Sequence, residues 1–182
     1  MSKVSGMYFA LKRGSDVITK ILQYITALLV VICFSAILLQ VVYRFILVKY
    51  FTLPFSFTFT DELSRYSLVW LTYLSLGMCF KEGYMTAVDF VYNHIGSKAK
   101  KVLYYLIFVI MAVFVVITVY YGIKLINFNV IFKSPSMRLP GIYLFSAPIV
   151  GIILVAYEMF TELMGVISGE LRPFSKAQIE TI

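Results

Sequence analysis

Few side chains in this 182-residue sequence could carry chemistry. His94 is the single histidine, and Cys33 and Cys79 are the two cysteines. A bis-histidine haem anchor needs paired axial ligands, so one imidazole excludes it. Neither cysteine has a Cys-x-x-Cys partner, which argues against structural zinc and against thiol–disulfide chemistry. Both lie in apolar runs and read as small buried residues, and His94 reads as a surface group. Walker A, His-Glu-x-x-His and Gly-x-Ser-x-Gly signatures are missing. The expectation is no catalytic residue, no metal and no cofactor in this chain.

Ionisable groups beside apolar segments are costly and tend to have a reason. Gln40 and Arg44 sit four apart, as do Asp61 and Arg65, with Glu62 between the latter pair. Asp61 can reach Arg65 at i,i+4 on a helix. Because these groups gather near one edge and no acid lies at mid-depth, they read as an ion-pair latch between helix ends rather than an ion pathway. On that reading, replacing Arg65 by Ala reduces assembly or transport. Glu158 and Glu162 share a helix face and are expected to pair with basic groups such as Lys20 or the Lys98–Lys101 cluster.

The elements that position these residues follow from composition. Hydrophobic residues make up 61% of the chain and charged residues 14%, with mean hydropathy +0.90. One soluble core of this size cannot hide so much apolar surface. That excludes a soluble domain, a disordered chain and a nucleic-acid module, so the +7 charge is a topology signal at span ends. The uncharged run Ile21 to Tyr43 has 23 residues, about 34 Å as a helix against a hydrocarbon core of about 30 Å. It is too long for a signal peptide's apolar region. Tyr66 to Phe80 is short but spans if the helix begins near Asp61, capped by Thr60. Val102 to Ile123 and Leu139 onwards complete the set, with Pro140 in a first turn and Pro148 as a kink. Ala147 with Gly151, and Gly77 and Gly122, permit close helix approach.

The predicted fold is all-α and integral to the membrane. Four transmembrane helices occupy about residues 18–46, 61–82, 101–124 and 139–167 of a membrane domain 18–167. An amphipathic interfacial helix lies at about 86–96, and the N-terminal tail 1–17 and C-terminal tail 168–182 are cytoplasmic. With the N-terminus inside, the inner segments carry ten basic residues and the outer ones six, which favours N-in, C-in. In residues 50–60, Phe51, Leu53, Phe55, Phe57 and Phe59 alternate with Thr52, Ser56, Thr58 and Thr60, a period of two, while Phe51, Phe55 and Phe59 also share a helix face. Residues alone thus describe a scaffold or accessory subunit in a lipid bilayer. A self-contained small four-helix transporter, or a membrane enzyme without a known motif, is the alternative.

Three stretches together resemble the small membrane subunit of tripartite ATP-independent periplasmic (TRAP) transporters. They are Val41-Val42-Tyr43-Arg44-Phe45; Asp61-Glu62-Leu63-Ser64-Arg65 with Trp70-Leu71 and Gly77; and Ser134-Pro135-Ser136-Met137-Arg138-Leu139-Pro140 with Tyr143 and Pro148. Val88-Asp89 matches a further family pair, whereas Met85 stands where the family often has His. The resemblance implies a multi-pass protein of the bacterial inner membrane and a heterodimer with a large transport subunit. That subunit is expected to hold sodium and to move an organic anion of the sialic acid or C4-dicarboxylate class by symport. It also implies a periplasmic substrate-binding protein as the third partner. Gln40, Arg44, Asp61, Glu62, Arg65, Trp70, Asp89, Ser134, Pro135, Arg138 and Pro140 are the expected structural and interface residues. Lys133 and Arg138 are the expected contacts for the binding protein.

Overall fold

The structure is a computed structural model that describes residues 3–47, 58–82 and 97–171. The expected interfacial helix, Asp89, His94 and residues 172–182 lie outside the described residues. Among those described there is no β-strand. Helix α1 runs Lys3–Val42 and ends in a π-helical turn, Tyr43–Leu47. Helix α2 is Thr58–Glu82 and α3 is Ser97–Phe128. A short α4, Ile142–Phe145, leads into α5, Ala147–Ile167.

Three stretches are long and apolar enough to cross a membrane: Ser5–Ile46, Val102–Phe128 and Ile142–Ile167. Helix α2 is 25 residues long but less apolar, because it packs between α1 and α5 and turns Ser64 and Ser67 inward. A helix shielded by neighbours need not be apolar all round.

Contacts fix the directions. Cys33 faces Ser64 and Asp16 faces Lys81, so α1 and α2 are antiparallel. Ser15 meets Glu158 and Tyr8 lies beside Gly165, so α1 and α5 are antiparallel too. Helix α3 lies outside this trio against α5, with Gly122 beside Ile149. Most of α3 faces outward as bare apolar surface.

The α1 seam has a seven-residue period. Tyr8, Ser15, Leu22 and Ala36 are buried on one register, and Ser5, Thr19, Thr26 and Cys33 on the other. A sustained heptad keeps one stripe facing its partners, and small side chains let the backbones approach. The same economy appears between α2 and α5. A Cβ on Gly151 would meet the Tyr73 carbonyl oxygen at 2.5 Å, and one on Gly77 would meet Leu154 Cβ at 2.9 Å. The small residues picked out in the sequence therefore pack this chain against itself.

Several local features differ from expectation. Residues 3–17, read as a tail, are helical and pack along the end of α5, with Tyr8 and Leu171 both against Gly165. Pro140 precedes the helix and is paired with Lys133 in an isolated antiparallel bridge. The break associated with Pro148 falls at Ser146, between α4 and α5, since proline has no N–H for the preceding turn. Cys33 is buried as expected, but Cys79 is exposed on the outer face of α2.

Candidate functional site

The expected site residues divide among a turn, a helix start and a helix break. Helix α3 ends at Phe128, and the next residue, Asn129, donates from its backbone and side-chain nitrogens to the Leu125 carbonyl, at 3.1 and 2.9 Å. The chain then folds back on itself. Ser134 N–H donates to Leu139 O at 2.9 Å, and Gly141 N–H donates to Phe132 O at 2.8 Å. Arg138 N–H donates to Ser134 O at 3.0 Å with Arg138 at φ 51°. That left-handed conformation is uncommon for a residue with a Cβ and persists where surroundings over-determine it.

Glu62 supplies the over-determination. From the first turns of α2 its carboxylate accepts the Ser136 N–H at 2.7 Å, the Met137 N–H at 2.8 Å and the Ser134 hydroxyl. Successive backbone N–H groups in a turn form a concave anion site, and here Glu62 fills it. Thr58 and Ser136 hydroxyls add a bond of 3.2 Å. Ser134 is buried, while Lys133, Pro135 and Arg138 stay exposed on the turn. A carboxylate engaged by three donors acts as a lock and has little left to offer as a free base.

Asp61 and Arg65 do pair, at 3.4 Å, but both are well exposed. The larger latch does not form among the described residues. Gln40 and Arg44 make no bond to Asp61, Glu62 or Arg65 among the described residues, and Arg44 is exposed on the π-helical turn. The reason is that Glu62 turns toward the 134–137 backbone, leaving α1's end without it. Trp70 Nε1 donates to the Tyr143 carbonyl at 2.9 Å, satisfying an oxygen near the α4–α5 break, where helical bonding is interrupted.

The opposite end of the bundle holds a second polar set, one that sequence reasoning missed in this form. Glu158 is buried, and both its oxygens accept from the buried Ser15 hydroxyl, at 2.7 and 2.9 Å. A hydroxyl rather than the expected lysine is its partner. Lys81 donates to Asp16 at 2.8 Å and to Thr19 at 2.9 Å, joining α2 to α1. The Tyr157 hydroxyl donates to Leu11 O at 3.0 Å. The signal that could have revealed this end is the α1 heptad, which continues through Ser15 and Tyr8 into the segment read as a tail.

Fold and site together define a helical membrane protein whose polar groups fasten helices and loops to one another. Residues 34–169 match the family model described as Tripartite ATP-independent periplasmic transporters, DctQ component. The match covers most of the chain, and the protein belongs to this family, the small component of the transporter. It is a transporter-component family rather than an enzyme family. Neither the curated proteins nor the solved structures contain a match.

Proposed function

We propose that this chain is the small permease subunit of a sodium-driven, binding-protein-dependent importer of an organic anion, of the sialic acid or C4-dicarboxylate class. It sits in the bacterial inner membrane as a heterodimer with a large subunit, which carries the sodium and substrate sites. Helix α2 is the fourth span: 25 residues reach about 37 Å, and the alternating directions bring both termini to the cytoplasmic side. Family membership and the bare apolar faces of α1 and α3 support a scaffold role. Tails at about 1–17 and 168–182 complete the domain plan, with residues 3–17 forming a helical extension.

The observation that carries the reading furthest is the Glu62 lock. It holds the 133–140 turn in one shape with Lys133 and Arg138 exposed. A fixed cationic turn at the periplasmic edge suits docking of the binding protein, since rim charges steer encounter. Replacing both Lys133 and Arg138 by Glu should lower the association rate of the binding protein on the reconstituted complex by about tenfold or more at low salt. The difference should shrink as salt rises. An unchanged rate measured by surface-immobilised binding would remove the docking role.

A further inference from the structure

Helix α1 has a second face, opposite its packed seam, that the described chain leaves uncovered. Forty residues make a helix of about 60 Å, twice the hydrocarbon thickness of about 30 Å. One end therefore passes through the headgroup layer, and Lys12, Arg13 and Lys20 mark it. On this stretch of α1, residues Phe9, Lys12, Arg13 and Asp16 border an open notch of about 650 Å³. Asp16, the acid in this notch, is already held by Lys81 at 2.8 Å. Lys12 and Arg13 are exposed and form no ion pair among the described residues.

Below the cations runs an apolar lane. Arg13, Val17, Lys20, Tyr24, Leu28 and Val31 recur at three- and four-residue steps, which places them on one helix face. Val17, Tyr24, Leu28 and Val31 expose 53, 80, 61 and 61% of their surface, so no other part of the described chain covers them. Ile21, 54% exposed, flanks the lane. From Ile21 to Val31 is about 15 Å of helix rise, the depth of one leaflet's hydrocarbon. Cations at headgroup level above a leaflet-deep apolar lane match the two parts of one ligand.

We propose that this face binds an anionic phospholipid, with its phosphodiester held by Lys12, Arg13 and Lys20 and an acyl chain laid along Ile21, Tyr24, Leu28 and Val31. The inference rests on α1 crossing the bilayer and does not depend on what the transporter carries. Basic groups beside a span attract anionic headgroups. Long basic side chains can reach the headgroups while their stems lie on apolar surface. Lys12 and Arg13 border the notch on the same helix that carries the apolar lane, so headgroup and chain can meet one continuous face.

The test uses the full transporter complex, purified from nanodiscs holding equal phosphatidylglycerol and phosphatidylcholine, with retained lipid measured by mass spectrometry. Wild type should retain phosphatidylglycerol in excess. The triple variant Lys12→Gln, Arg13→Gln, Lys20→Gln should lose that excess by about fivefold or more, and Lys124→Gln on α3 should keep it. Equal retention in the triple variant, or no excess in wild type, overturns the proposal. Should the triple variant fail to fold, a photoactivatable phosphatidylglycerol on the wild-type complex decides. Adducts within residues 21–31 support the site. A complex that assembles fully but gives no adduct there means a protein partner covers this face, which overturns the lipid site while leaving the subunit assignment standing.

Discussion

Each end of the bundle fixes one glutamate, and the two do so in opposite ways. Glu158 is buried among α1 and α5 and leans on a single hydroxyl, Ser15. Glu62 stands at the surface and gathers donors from a turn more than seventy residues away in sequence, through Ser134, Ser136 and Met137. The first arrangement ties helix to helix. The second shapes a loop. A buried polar group left without its partner bears the whole desolvation cost, whereas an exposed one falls back on water. The Glu158 end should therefore govern stability, and the Glu62 end the form of a surface.

That contrast can be broken by substitution. Ser15→Ala removes the donor from a buried carboxylate and should cost about 1–3 kcal/mol, seen as a clear drop in the Tm of the detergent-solubilised protein. Combining it with Glu158→Leu should recover part of the loss, since replacing both partners is far less costly than orphaning one. A Ser15→Ala protein with unchanged Tm would mean that the buried pair does not hold the helices. Glu62→Ala should act locally. Amide exchange at Ser136 and Met137 should accelerate several-fold while Tm shifts less than for Ser15→Ala. Exchange unchanged at these two amides would show that the turn keeps its shape without the lock. The smallest effect belongs to Arg65→Ala. Its pair with Asp61 is exposed on both sides, and pairs of this kind contribute about 0.3–0.5 kcal/mol before salt screening. A large loss of stability would reveal an Arg65 partner outside the described residues.

The contrast also marks where sequence reading succeeds. Long apolar runs announce α1, α3 and α5 because bilayer thickness sets a length that composition can meet. The Asp61–Arg65 pair is local and follows from helical spacing. Glu62 stands out in the sequence with its neighbours, but its partners are not legible there, since no periodicity connects α2 with residues 134–137. The expected latch with Arg44 drew on adjacency of helix ends, and the turn outcompeted it by offering two backbone N–H groups in fixed geometry. Residues 3–17 read as a tail because Lys12, Arg13 and Asp16 interrupt their apolar residues before the first uncharged run. Their helix is encoded in the spacing of Ser5, Tyr8 and Ser15, a stripe that hydropathy averaging smooths away. The modest apolarity of α2 has the same origin: its serines face neighbours, and a window average cannot see which way they point.

The central claim is that this chain frames a transporter and does not itself translocate substrate. Uptake of a labelled organic anion into proteoliposomes under an inward sodium gradient tests it most directly. The chain alone should give no uptake above empty vesicles, while chain, large subunit and binding protein together should give sodium-dependent accumulation. Sodium-driven uptake by this chain in isolation would contradict the account.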